Sequence, residues 1–178
     1  MRRLSFYRKK KLRGLRRRLR DLGRWADSFI GYFPKVSELQ DNYWEEKIPI
    51  ESNLVEGAKS RRTIKKECIT SIIRACSNLI QSKPDYAQGY RVICLIVEPH
   101  MFPSRICVWK SIDHYKSYAS ECDTAYVECK RNTIKSLVKK YGLLVPMGMR
   151  EVGYDIAEKE NGVVINRITH WFIGEIDQ

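Results

Sequence analysis

Apolar residues near the start of the chain recur every three or four positions. Leu12, Leu15, Leu19, Leu22, Ala26, Phe29 and Phe33 fall on one stripe of an α-helix. The spacing predicts an amphipathic helix closed by Gly31 and Pro34, with Gly14 and Gly23 each weakening it by about 1 kcal/mol relative to alanine. Residues 34–57 read as irregular, with a short extended piece around Trp44–Ile50 interrupted by Pro49. A second helix is expected over Ser60–Gln81, where Ile64, Cys68, Ile72, Cys76 and Leu79/Ile80 keep the helical period and Ile69 and Ile73 widen the buried face. Lys83-Pro84 stops it.

Beyond that point the period changes. Tyr90–Glu98 contains the run Val92-Ile93-Cys94-Leu95-Ile96-Val97, which predicts a central strand buried on both faces. A short connection leads to a second strand, Arg105–Lys110, and implies an antiparallel pair. Asp113 is placed to cap a helical stretch. Another helix is expected over Val127–Tyr141, with Ile134, Leu137, Val138 and Tyr141 inward and Gly142 at its C-cap. Glu151–Ala157 and Val163–Ile173 flank Glu160-Asn161-Gly162, a strong hairpin signal. On the last strand Ile168, His170 and Phe172 share one face, and Arg167, Thr169, Trp171 and Ile173 the other. The predicted fold is α+β: a single domain with a mainly antiparallel sheet packed with helices, preceded by a long basic amphipathic N-terminal helix. Residues 1–33 form that helix, docked on the body, and 34–178 form the α+β globular body.

Charge changes the picture. Twelve Lys or Arg lie in the first 24 residues against one acid, Asp21, so that segment holds +11 of the chain's +12. The other 154 residues carry 21 bases and 20 acids and are nearly neutral. At 43% hydrophobic and 30% charged, the whole is otherwise an ordinary globular composition. No run of 18 apolar residues suggests a membrane span. The six cysteines have no CxxC spacing and read as small buried hydrophobes of a reducing cytoplasm, so a cytoplasmic location is expected.

The segment Phe102-Pro103-Ser104-Arg105-Ile106-Cys107-Val108-Trp109, a following Tyr-rich helix, the ending Trp171-Phe172-Ile173-Gly174-Glu175 and the Arg-rich opening together resemble a group of uncharacterised bacterial proteins of this length, common in relatives of Bacillus. The resemblance implies a bacterial, intracellular, single-domain protein with no established activity, and it brings no catalytic residues.

The candidate chemistry is electrostatic. Arg2, Arg3, Arg8, Lys9, Lys10, Lys11, Arg13, Arg16, Arg17, Arg18 and Arg20 form the expected polyanion-binding set. Arginine's planar fork suits bidentate phosphate contact, and like charges at helical spacing repel unless an anion is present. The competing description is a solvated face on a helix docked through its leucines. The expected partner is nucleic acid backbone, RNA or DNA, bound without sequence specificity. The alternative is an immunity- or antitoxin-type interaction module that meets an acidic protein surface. The leucine stripe could also serve as a coiled-coil seam for a homodimer. His170, with Glu175 five residues on, His100 between two prolines, and His114 suggest no more than ordinary packed or surface histidines. GxxxxGK[ST], GxGxxG, HExxH and GxSxG are absent, so no cofactor, metal or familiar catalytic apparatus is expected.

Overall fold

The computed structural model describes residues 14–50, 62–98, 104–110, 124–128, 135–159 and 167–174. Three helices cover one face of a six-stranded sheet. Helix α1 spans Leu15–Asp27, α2 Arg62–Gln81 and α3 Leu137–Tyr141. The strands are β1 (Tyr43–Lys47), β2 (Arg91–Glu98), β3 (Arg105–Trp109), β4 (Thr124–Glu128), β5 (Met149–Lys159) and β6 (Arg167–Gly174). Their order is β1-β3-β2-β6-β5-β4, and every neighbouring pair is antiparallel. The class is α+β, as the period changes predict.

Strand β2 lies inside the sheet, which is why it is apolar at every position from Val92 to Val97. Val92, Cys94 and Ile96 join Ile106, Val108 and Phe172 in the core shared with the helices. Ile93 and Leu95 turn the other way, joining Cys107, Trp109, Trp171 and Ile173 in a second buried cluster. Buried Ser104 accepts the β2 backbone through Val97 N–H···Oγ at 2.9 Å and so ties the ends of β2 and β3 together. β5 and β6 run side by side from Met149↔Gly174 to Ala157↔Arg167, with a bulge between Glu151 and Gly153.

Helix α1 is shorter than the 3–4 spacing suggests. It starts after Gly14, whose φ of 77° takes it out of the helical region, and it ends at Asp27. Phe29 and Phe33 are buried, but from the turns that follow the helix. Leu12 and the predicted first turns lie outside the described residues. Leu22 and Ala26 pack in the common core, with Leu15 and Leu19 partly buried against it. Leu22 and Ala26 are therefore used within the chain, in the core they share with α2.

The helix expected over Val127–Tyr141 needs correction. Val127 and Glu128 belong to β4, which pairs with β5 from Thr124↔Lys159 to Glu128↔Asp155. The described helix starts only at Leu137, where the Ser136 hydroxyl accepts Lys139 N–H at 3.1 Å as an N-cap. Pairing along an open strand edge has overridden a weak helical period. The C-terminal end is as expected, with Leu137 and Tyr141 buried and Gly142 at φ 60°. The stretch after Asp113 and the Asn161-Gly162 turn lie outside the described residues.

Candidate functional site

The leucine stripe fixes where the arginines point. With Leu22 and Ala26 buried, Arg16, Arg17, Arg20 and Arg24 are exposed and Arg18 is half-buried. Asp21 is shared: its carboxylate lies 3.7 Å from Arg17 Nε and 3.5 Å from Arg24 Nη1. Arg16 and Arg20 have no acidic partner among the described residues. The helix holds five arginines against two aspartates, and no acid occupies its first turn. Arg16, Arg17 and Arg18 therefore sit at the positive end of the helix dipole, where an anion is the stabilising neighbour and a cation is not. Of the other expected site residues, Arg2, Arg3, Arg8, Lys9, Lys10, Lys11 and Arg13 lie outside the described residues.

A feature that sequence reasoning missed holds this face in place. Three polar side chains four residues apart, Arg74 and Asn78 on α2 and Ser82 just past its end, reach carbonyls near the end of α1 and in the turn after it. Arg74 Nη2 donates to Gly23 O at 3.0 Å, Asn78 Nδ2 to Ala26 O at 2.9 Å, and Ser82 Oγ to Phe29 O at 3.2 Å. Arg74 also meets Asp27 at 3.3 Å, and Ser82 Oγ accepts Gly31 N–H at 2.8 Å. Helix ends leave their last carbonyls without internal partners, and here the neighbouring helix supplies them. Gly23 admits the close approach, since a Cβ there would stand 3.2 Å from Arg74 Nη2. The signal was legible as the Arg-x-x-x-Asn-x-x-x-Ser spacing that runs from α2 to the residue after it.

The second cluster is a buried acid–base pair. His170 is fully buried, and its Nδ1 lies 3.1 Å from Oε1 of Glu151, whose side chain is 8% exposed. Glu151 also accepts Leu137 N–H at 2.9 Å and Val138 N–H at 3.5 Å, so one carboxylate joins β5, β6 and the start of α3. Burial alone would raise its pKa. The hydrogen bonds from His170 and from the backbone of Leu137 and Val138, with the His170 charge, outweigh burial and lower it. An ionised carboxylate only accepts, so Nδ1 carries the proton in this bond. Within the described residues His170 thus meets Glu151 on the neighbouring strand, and Glu175, five residues on, lies outside them. With one carboxylate tying two strands to the start of a helix, the geometry fits a structural pin. His100 and His114 lie outside the described residues.

On the opposite face, Tyr43 donates to Glu45, which also meets Arg105 Nη1 at 3.2 Å. Burial, then Cys107 and Glu45, push the Tyr43 phenol pKa up, and burial pushes Cys107 to about 12. These groups are thereby held neutral. No cluster of His, Cys, Asp or Glu suited to a metal occurs among the described residues, and no described helix is long and apolar enough to cross a membrane.

A family model described as "Protein of unknown function (DUF3916)" matches residues 23–175. No curated protein and no solved structure matches the chain.

Proposed function

The chain belongs to the DUF3916 family, a family of unknown function that sets no activity in advance, and from that premise we propose that the protein binds the phosphate backbone of a nucleic acid, RNA or DNA, without reading sequence. The observation that carries this reading is the outer face of α1. Arg16, Arg17 and Arg20 stand exposed at a helix N-terminus that has no acid in its first turn. Seven further Lys or Arg, and no acid, precede them in the sequence. Each cation that neutralises a phosphate releases a condensed counterion, so affinity falls steeply with salt while remaining indifferent to base order. The docked stripe and the Arg74–Asn78–Ser82 bonds support the same reading from the other side, because they present these arginines on a fixed surface at little entropic cost on binding.

Fluorescence polarisation with short labelled duplexes and single strands, titrated between about 50 and about 300 mM salt, tests the proposal. The triple variant Arg16→Gln, Arg17→Gln, Arg20→Gln keeps the leucine stripe. It is expected to lower the slope of log affinity against log salt by roughly 2 to 3, at about 0.9 per lost contact with a duplex. An unchanged slope would remove α1 from the binding surface. Absence of binding even at the low salt would turn attention to an acidic protein surface instead.

A further inference from the structure

We infer that the phosphate-binding surface does not end on α1 but continues across the outer ridge of α2 as a trough with cations on both banks. This rests on the polyanion reading above and extends it to residues of α2 and α3. The contacts Arg74–Gly23, Asn78–Ala26 and Ser82–Phe29 ascend together along both helices, so α1 and α2 run parallel and their N-terminal ends share one end of the helical layer. On α1, Arg16, Arg20, Gly23 and Asp27 lie along one ridge at helical spacing. Gly23 and Asp27 are the positions that meet Arg74, so Arg16 and Arg20 continue the same ridge beside α2.

The exposed residues Thr63, Glu67, Thr70 and Arg74 follow one another every three or four positions and form the outward ridge of α2. On its far flank Lys66 Nζ donates to Gly142 O at 2.9 Å and Arg62 donates to Lys140 O, which brings the end of α3 and exposed Lys139 alongside. The ridge is therefore a floor with two threonine hydroxyls, flanked by Arg16 and Arg20 on one bank and by Arg62, Lys66 and Lys139 on the other. Two carboxylates interrupt it: Asp27, bridged to Arg74, and Glu67 in the floor.

Neither α1 nor α2 carries an acid in its first turn, so both dipoles present their positive ends here. The negative end of α3 is offset because Arg62 and Lys66 occupy its last carbonyls. From Thr63 to Arg74 the floor is about 17 Å long at 1.5 Å per residue. That is the length of about five nucleotides of one strand at 3.4 Å per step. The ligand that fits is a phosphate backbone laid along α2, contacted from both sides.

The test uses the full chain, labelled duplex RNA and duplex DNA, and two variants with opposite expected signs. Lys139→Gln should lower the salt slope by about 0.9. Glu67→Gln, which removes the one carboxylate in the floor without a basic partner shown, should tighten binding roughly two- to fivefold, the range for an exposed charge pair. Tightening by Glu67→Gln cannot come from damaged folding. If both variants match the parent while the α1 arginine triple still loses affinity, the trough is wrong and the α1 reading stands. If the parent chain binds no duplex and no single strand at low salt, the α1 reading fails and the trough with it.

Discussion

Replacing Glu151 by glutamine isolates what the buried carboxylate does. The change keeps size and shape but removes the charge: Oε1 now accepts both His170 Nδ1 and Leu137 N–H, and Oε2 faces Val138 N–H. The new amide nitrogen is a donor, and it must face a group that also donates. Hydrogen bonds to a charged group are worth about 1.5–3 kcal/mol each, and a buried group left without its partner costs a similar amount. The Val138 contact, at 3.5 Å, adds little. Two charge-assisted bonds on Oε1 reduced to neutral strength, with an amide N–H set against Val138 N–H, give a destabilisation of about 2–4 kcal/mol. At about 2–4 °C per kcal/mol for a chain of this size, thermal unfolding should shift down by roughly 5–15 °C.

The pH dependence carries a further signature. The folded-state pKa of Glu151 lies below its ordinary value of 4.5. Such a group contributes stability that is fully present above the unfolded pKa and is lost as pH falls through the folded one. The gap in melting temperature between parent and Glu151→Gln should therefore be full at neutral pH and shrink in acid below 4.5, as the parent's carboxylate takes up its proton. Calorimetry or circular dichroism melts across that range measure it. A gap under about 0.5 kcal/mol at neutral pH, the scale of a surface change, would refute the pin. So would a gap that does not narrow in acid.

Two further outcomes follow from packing. Gly174, paired with Val92 and Met149, has no room for a methyl group: a Cβ there would overlap Ile80 Cδ1 and stand 2.9 Å from Ile80 Cγ1. Gly174→Ala should thus cost about 1–3 kcal/mol in chemical denaturation, and a neutral result would mean that α2 shifts freely on the sheet. Cys68, Cys76, Cys94 and Cys107 are buried free thiols whose environments raise the pKa of Cys68 and Cys107 to about 12 and that of Cys94 well above the ordinary value, chiefly by burial. Alkylation read by peptide mass spectrometry should leave these four unmodified in the native protein at about pH 8 and label them after unfolding. Rapid native labelling of any of them would contradict the packing of that residue.

What could be read from the sequence follows the range of the forces involved. β2 was legible because a strand covered on both faces must be apolar throughout. The α2 period and the Gly142 cap were legible because their chemistry is local. β4 was not, since Thr124–Glu128 is defined by its partners Asp155–Lys159, some thirty residues further along. The role of Glu151 was half-hidden. Glu151 stands opposite Phe172, on the face shared with His170, only because the bulge between Glu151 and Gly153 shifts the register by one from that of Ala157↔Arg167. Neither that bulge nor Leu137, delivered by a helix whose start depends on Ser136, shows in a residue pattern.

The charged surface divides along the same line. That Arg16, Arg17 and Arg20 face outward follows from the 3–4 stripe alone, once Leu22 and Ala26 are assigned to the core. Which neighbours they face does not, because it depends on the sense in which α1 lies on α2. Had the helices packed antiparallel, the N-terminal arginines would stand beside Gln81, far from Arg62 and Lys66, and their field would be local. The Arg74–Asn78–Ser82 ladder selects the parallel arrangement, since only then do successive carbonyls of α1 and its following turn meet donors four residues apart in the same order. Arg74 has two functions in this scheme: it neutralises Asp27 and it sets the alignment that joins two cationic helix starts into one surface.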